Sequence, residues 1–344
     1  MLRKLVIGLC LGFLAAILIF IAFSGQVNDG RMTTEQRRHR DKFLKESIEM
    51  LPPMKPIVGV PTGTASQAEE VLNPEELVLG VVINGQAKAY PLNMIDAPER
   101  KVINDTLGGE EILVTWCDIC HTAAVFSREI GGHVDKFGCS GLLWNNTLVI
   151  YDVATGSFWN HLLGECVAGE RQGTRLEPIP AVITTWRAWR ESHPETIMLV
   201  TQRVSQVLKL DYYQSIGSPM VFGLRDGGEP IAWKFAYLRQ HPVLEITEGG
   251  REAVVFYHEA EQTVRAFSRR LGDLVLTFSQ NNGKVLDAET GTEWDPRIGR
   301  AISGPLSGEA LQPLAGITAF APAWDAYFPG HPIHDGTLSN DPGT

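Results

Sequence analysis

Short runs of alternating apolar and polar residues, separated by turn residues, follow one another along most of the chain. Leu77–Ile83 and Gln86–Pro91 flank Asn84-Gly85, a dipeptide typical of tight β-hairpins. Similar runs predict further strands at Glu110–Trp116, Thr122–Ile130, His133–Gly138, Leu148–Asp152 and Phe158–Leu163. Within the body, one helix is predicted near the end of each copy, at Ala181–Ser192 and Thr318–Phe328, and Thr33–Leu51 is predicted as a polar helix or stalk. Because no long amphipathic helices alternate with these strands, the pattern predicts a mainly β (α+β) protein with antiparallel sheets.

The pattern also repeats within the chain. Val114–Glu129 aligns with Val255–Arg270 without a gap, and Asp152–Trp159 aligns with Asp287–Trp294. The second copy has six residues fewer between these two blocks, and we expect the shortening around Cys139–Thr147, in a loop that only the first copy keeps. The sequence therefore predicts two similar β-rich domains that arose by internal duplication.

The repeats and the segments around them suggest a division of the chain. The predicted parts are a transmembrane or signal-anchor helix (1–25), a stalk or linker (26–70), repeat one (71–203), a connector (204–218), repeat two (219–336) and a tail (337–344).

The N-terminal segment has the pattern of a membrane anchor. Arg3 and Lys4 precede Leu5–Phe23, an apolar run without a charged residue that is long enough to span a bilayer. Cleavage at the small-x-small site Ala22-Phe23-Ser24 stays open. Counted alone, the basic residues that follow the apolar run would place the C-terminal body in the cytoplasm. A short basic start before an apolar run is nevertheless how exported chains begin. We therefore expect a single-pass membrane protein, inserted through residues 5–23, with its body outside the cytoplasm (periplasmic or at the cell surface).

Composition and charge limit the classes of partner. The 344 residues are 44% hydrophobic and 20% charged, with a formal net charge of −10. This excess of acidic residues argues against nucleic acid as the partner, since that binding depends on clustered Lys and Arg. A protein or small-molecule partner stays open.

Four of the five cysteines lie in the first repeat. In the alignment of the repeats, the second copy replaces every one of them: Cys117 by His258, Cys120 by Glu261, Cys139 by Gln280 and Cys166 by Ala301. Any thiol chemistry of the body therefore belongs to repeat one.

Geometry sets a condition on the Cys117/Cys120 pair. In an extended strand, residues three apart are separated by roughly 10 Å, whereas a disulfide requires Cα atoms within about 7 Å of each other. The two thiols can cooperate only if the strand ends near Trp116 and residues 117–120 form a turn.

Four interpretations of these cysteines stay open. The first is a disulfide, either purely structural or redox-active with Cys117 attacking and Cys120 resolving. The second is a zinc or copper site that uses Cys117 and Cys120 with His121, Cys139, Cys166 or His161. The third is covalent haem c at Cys117, Cys120 and His121, and in the fourth the thiols are simply buried as small apolar groups.

Two other residues bear on these interpretations. The carboxylate of Asp118 disfavours a reactive thiolate. For His161, which aligns with Pro296, a position at the surface is the simpler expectation. Whether the protein is an enzyme or a non-catalytic binding or assembly module also stays open.

Several sequence blocks between about Leu51 and His334 stand out together: Gly80–Gly85, Asn104–Gly109, Trp116–Cys120, Ser140–Leu143 and Gly156–Trp159. On these blocks the chain resembles the domain-of-unknown-function family 3179, found mainly in exported or membrane-anchored proteins of bacteria and archaea.

The resemblance implies a conserved role for one cysteine pair only. Cys117 and Cys120 match the family motif, although Asp118 and Ile119 stand where the family usually has Pro and Leu. Ligand sets that use His121, Cys139 or Cys166 would be particular to this protein, which weakens the haem interpretation. The family implies no reaction.

Overall fold

A computed structural model describes residues 31–210 and 220–335. The predicted anchor segment (1–25), the second half of the predicted connector (211–218) and the predicted tail (337–344) lie outside the described residues. No helix in the described part of the chain is long and apolar enough to cross a membrane.

The chain folds mainly into short strands. The helices are Thr34–Glu46 (α1), Ala65–Glu69 (α2), Leu92–Ile95 (α3), Trp186–Ser192 (α4), Phe235–Gln240 (α5) and Ala321–Tyr327 (α6). The strands before residue 200 are Ile48–Glu49 (β1), Ile57–Val58 (β2), Thr62–Thr64 (β3), Leu77–Ile83 (β4), Gln86–Pro91 (β5), Val102–Leu107 (β6), Glu110–Cys117 (β7), Thr122–Ser127 (β8), Glu129–Ile130 (β9), His133–Val134 (β10), Phe137–Trp144 (β11), Thr147–Asp152 (β12), Phe158–Asn160 (β13), Glu165–Ala168 (β14), Ala181–Thr185 (β15) and Ile197–Leu199 (β16). The later strands are Met220–Leu224 (β17), Ile231–Lys234 (β18), Val243–Ile246 (β19), Ala253–His258 (β20), Thr263–Ser268 (β21), Arg270–Leu271 (β22), Leu274–Val275 (β23), Phe278–Asn281 (β24), Lys284–Asp287 (β25), Glu293–Asp295 (β26), Arg300–Ser303 (β27), Pro313–Leu314 (β28), Ile317–Phe320 (β29) and Ile333–His334 (β30).

The described chain forms two compact units. One contains residues 31–60, 96–119 and 124–178, and the other contains 61–95, 120–123, 179–210 and 220–335. The sheets β2-β6-β7-β8 and β1-β11-β12-β13-β14 belong to the first unit, apart from the first residues of β8. The sheets β15-β4-β5-β16-β3, β29-β17-β18-β30, β19-β20-β21-β28 and β24-β25-β26-β27 belong to the second unit. The sheet built around the β4–β5 hairpin of repeat one therefore belongs to the same compact unit as the sheets of repeat two.

Each repeat contains three corresponding sheets. The order β15-β4-β5-β16 matches β29-β17-β18-β30, and in both the central hairpin has an antiparallel strand on one side and a short parallel strand on the other. The orders β6-β7-β8 and β11-β12-β13-β14 match β19-β20-β21 and β24-β25-β26-β27. The mainly β fold and the two tandem domains predicted from the sequence are therefore confirmed.

Individual contacts recur between the repeats as well. Trp159 Nε1 donates a hydrogen bond to Asp152 at 2.8 Å, and Trp294 Nε1 donates to Asp287 at 2.9 Å. A Cβ added to Gly80 would lie 2.2 Å from the ring of Trp189, and Gly223 has the same relation to Trp324 at 2.2 Å. Both hairpin sheets thus need glycine where the tryptophan of the following helix packs against them.

The six extra residues of repeat one lie in the hairpin of β11 and β12. This hairpin spans residues 137–152, and the equivalent hairpin of β24 and β25 spans 278–287. The expectation of a loop at Cys139–Thr147 was wrong, because the additional residues lengthen both strands. The longer hairpin also has a register shift between Cys139 and Leu143 and pairs with β1.

The two predicted helices begin later than expected. Residues 181–185 and 317–320 are strands β15 and β29, each paired antiparallel with a hairpin strand, and only the residues after them form α4 and α6. The β-branched residues of the first segment favour a strand, and pairing with β4 stabilises it. Sheet pairing therefore decided the conformation of both segments.

The segment Thr33–Leu51, predicted as a polar helix or stalk, contains helix α1. Thr33 caps this helix with a reciprocal pair of hydrogen bonds to Gln36. Phe43 is buried in a cluster with Leu142, Val149 and neighbouring apolar side chains, so the helix packs on the sheet of β11 and β12.

Candidate metal and thiol site

Strand β7 ends at Cys117, and a four-residue turn leads into β8. Cys120 is the third residue of this turn, and the fourth, His121, has a positive φ of 50°. Thr122 Oγ1 donates a hydrogen bond to the carbonyl oxygen of Cys120 at 3.3 Å. The turn that the sequence required for cooperation between the two thiols is therefore present.

His161 completes a group of three potential ligands with these thiols. The Sγ atoms of Cys117 and Cys120 and a ring nitrogen of His161 all lie within 4.8 Å of one another. The three residues are buried, with exposed fractions of 1%, 1% and 0%. The expectation that His161 lies at the surface was wrong, since it follows β13 directly and sits inside the sheet packing.

The hydroxyl of Thr115 orients the imidazole of His161. Thr115 Oγ1 donates to the carbonyl oxygen of Ala124 at 3.2 Å and lies 3.3 Å from His161 Nδ1. When the hydroxyl donates to Ala124, its oxygen can accept from Nδ1–H of His161, and in that tautomer Nε2 carries the lone pair that a metal ion requires.

A small ionic cluster lies beside Cys117. Lys101 forms ion pairs with Asp118 and, at 3.9 Å, with Asp96, which also accepts a hydrogen bond from Trp116 Nε1 at 2.8 Å. Burial raises the pKa of Asp96, while the Trp116 hydrogen bond and the charge of Lys101 oppose the rise. Because Asp118 is paired with Lys101, its negative charge acts less strongly on the neighbouring thiols than the sequence alone suggested.

The other candidate ligands lie outside the group of three. Burial raises the pKa of Cys139 and raises that of Cys166 to about 12, which keeps both as thiols at neutral pH. The ring of His121 packs on the ring of Phe320, with 4.4 Å between their centroids. In the described part of the chain, no disulfide joins any of the four cysteines.

The equivalent turn of repeat two keeps the backbone and changes the chemistry. Gln262 has the same positive φ as His121, at 48°, and Thr263 Oγ1 donates to the Glu261 carbonyl at 3.2 Å. Where the thiols stand in repeat one, His258 Nδ1 lies 3.5 Å from a carboxylate oxygen of Glu261. The His161 position is Pro296, so repeat two lacks the third ligand.

Sequence reasoning missed the role of Thr115. A threonine in a strand is ordinarily explained by β-propensity. The contact between Thr115 Oγ1 and His161 is what indicates a further role for this threonine. The alignment of the repeats did contain a signal for His161 and Thr115, because proline and phenylalanine, which cannot serve as ligand or hydroxyl, replace them in repeat two.

A family model confirms the duplication. The chain matches the family described as "Protein of unknown function (DUF3179)" twice, over residues 56–219 and 216–331. The chain therefore belongs to this family and contains two tandem copies of its domain. Neither a curated protein nor a solved structure shows significant similarity to the chain.

Proposed function

We propose that repeat one binds a soft metal ion through Cys117, Cys120 and His161. The observation that carries this proposal is the convergence of two thiols and one imidazole within 4.8 Å in a buried position. With zinc–sulfur bonds of 2.3 Å, tetrahedral geometry requires ligand atoms about 3.8 Å apart. Small rotations of the three side chains would therefore close the ligand set.

Charge balance favours zinc over copper as the metal. Two thiolates and a neutral imidazole neutralise Zn²⁺, whereas with Cu⁺ they leave one negative charge. An uncompensated charge in a buried site is costly. Cys₂His with a fourth, open position is a ligand set that zinc uses in enzymes. The chain thus supplies a site in which zinc could take a further ligand.

Thiol–disulfide exchange has less support from the geometry. An incoming disulfide must reach the attacking sulfur, and the side chains of Cys117 and Cys120 are each only 1% exposed. Haem attachment has less support because it needs the histidine of the C-x-x-C-H string, and His121 packs on Phe320 instead.

Metal analysis of the purified full-length chain tests the proposal. We expect about one zinc per chain, lost in Cys117→Ser and His161→Ala. Cys166→Ser is the matched control, because it removes a buried thiol outside the group of three and should leave the metal content unchanged. Circular dichroism of each variant checks that the chain still folds.

Three results would contradict the proposal. A folded Cys117→Ser variant that keeps the wild-type metal content would remove the ligand assignment. Two thiols that titrate only after reduction would identify a disulfide, and a haem absorption band would identify covalent haem. A chain that contains copper instead of zinc would leave the ligand assignment intact and contradict only the choice of zinc.

We further propose that residues 5–23 tether this metal-binding body to a membrane and that the body lies outside the cytoplasm. The uncharged apolar run after Arg3 and Lys4 supports this. We expect the chain to fractionate with membranes, and protease added to intact cells with a permeabilised outer layer to degrade the body. A chain that stays in the soluble fraction, or a body protected until the inner membrane is lysed, would contradict the tether or its orientation.

A further inference from the structure

A cavity of about 300 Å³ lies in the second compact unit. Its walls include residues of β4, β15 and α4 of repeat one and of β17, β21 and β28 of repeat two. All the lining residues belong to the second compact unit. The volume is at the lower end of the range that holds small organic ligands.

Most of the cavity wall is apolar and closely packed. Trp189 and Phe222 both line it, and each ring lies against a glycine: a Cβ on Gly80 would be 2.2 Å from Trp189, and a Cβ on Gly316 would be 2.0 Å from Phe222. The two rings are therefore held in place by the backbone behind them. A ligand would meet a wall that is already formed, which reduces the entropy lost on binding.

Two polar groups line the same cavity without a partner of their own. Arg265 Nε and His193 Nε2 are buried, and neither has a hydrogen-bond partner in the described part of the chain. Burial without a hydrogen bond is unfavourable for both groups. An acceptor placed in the cavity would satisfy them.

The charge states of these two groups suit an anionic acceptor. Burial lowers the pKa of Arg265 to about 10, so it stays charged at neutral pH. Burial, and then the charge of Arg265, lower the pKa of His193 to about 4, so its imidazole is neutral. The charges of Glu261 and Asp295 raise the pKa of Arg265, and the charge of Arg297, which pairs with Asp295 at 3.2 Å, lowers it.

The hairpin itself does not require an arginine at this position. Arg265 aligns with Ala124 of repeat one, where the corresponding strand β8 forms the same hairpin with β7. A long charged side chain in a largely apolar cavity needs another reason. Recognition of a ligand supplies one, because an arginine that lines a cavity can donate charge-assisted hydrogen bonds.

We propose that this cavity binds a small organic carboxylate, whose apolar body packs between Trp189 and Phe222 and whose carboxylate accepts hydrogen bonds from Arg265 Nε–H and His193 Nε2–H. The proposal is independent of the metal site, because none of the proposed metal ligands lines the cavity.

Calorimetric titration of the full-length chain with phenylacetate and octanoate tests the proposal, with phenylacetamide as the uncharged analogue. We expect at least one of the two carboxylates to bind, phenylacetamide to bind roughly tenfold more weakly than phenylacetate, and Arg265→Ala to weaken carboxylate binding roughly tenfold or more. Affinity should be constant between about pH 6 and pH 8, because His193 stays neutral and Arg265 stays charged over that range.

Two further variants keep the test decisive. Arg270→Ala removes an exposed arginine that pairs with Glu252 at 2.6 Å, and it should leave binding unchanged. Val82→Phe fills the cavity from a residue that is 43% exposed, and it should reduce binding even if Arg265→Ala unfolds. The proposal is overturned by no binding of either carboxylate, by equal binding of the amide and the acid, or by wild-type affinity in a folded Arg265→Ala or Val82→Phe chain.

Discussion

At the scale of single residues, Thr115 Oγ1 lies 3.3 Å from Nδ1 of His161 and can select its tautomer. In the tautomer with the proton on Nδ1, the hydroxyl accepts from Nδ1–H and Nε2 is the atom that would bind a metal. A residue that forms a hydrogen bond with a metal ligand typically raises the affinity for the metal roughly 10- to 100-fold. Thr115 is therefore a positioning residue for the proposed site.

Removing this hydroxyl should weaken metal binding without removing a ligand. We expect Thr115→Val, which keeps the β-branched shape, to lower zinc affinity roughly 10- to 100-fold while the chain still binds one zinc at saturation. Thr115→Ser should retain most of the affinity, because it keeps the hydroxyl. Competition with a zinc indicator measures both values, and equal affinities for the valine and wild-type chains would contradict the assignment of Nε2.

The thiols and the histidine differ in how far the sequence predicts them. Cys117 and Cys120 are three residues apart and match a family motif, so their cooperation follows from local turn geometry. His161 lies 41 residues after Cys120, and its position depends on how β13 packs on the sheet that carries β7. Because that packing is set by tertiary contacts, the sequence listed His121, Cys139, Cys166 and His161 as alternative further ligands and favoured a surface position for His161.

At the scale of elements, hairpins with strong turn signals are predicted well. The strands Leu77–Ile83 and Gln86–Pro91 have the bounds that the sequence predicts, because Asn84 and Gly85 adopt the positive φ angles, 49° and 79°, that a tight turn needs. The segments before α4 and α6 were predicted as helix, because their residues continue an apolar pattern into the helix. Their pairing with β4 and β17 depends on strands about a hundred residues away, which a local pattern does not contain.

The longer hairpin of repeat one shows how an insertion can change a site without a new loop. The alignment predicts the number of additional residues, but their conformation follows from pairing with β1 and from the register shift after Cys139. Cys139 is thereby buried in a strand, where its thiol pKa is raised. The longer hairpin also provides a surface on which helix α1 packs, since Phe43 of α1 is buried against Leu142 and Val149.

At the scale of the whole molecule, the duplication separates scaffold from chemistry. Both repeats keep the Asp–Trp hydrogen bond, the glycine that packs against the helix tryptophan, and the positive φ in the turn between β7 and β8 or between β20 and β21. Only the first copy keeps the thiols and the histidine, and only the second has Arg265. The two copies therefore preserve one fold and carry different candidate sites.

If the scaffold of repeat two is equivalent, it should accept the ligands of repeat one. Replacing His258 and Glu261 by cysteine and Pro296 by histidine recreates the ligand set on a turn with the same backbone. We expect a second zinc per chain at saturation. Its affinity should be lower than that of the first, roughly 10- to 100-fold, because Phe256 stands where Thr115 orients the imidazole. The variant with the two cysteines alone is the control, since it lacks the third ligand and should bind the second zinc more weakly still. A folded triple variant that stays at one zinc per chain would show that the geometry of the first site depends on more than the turn and the three ligands.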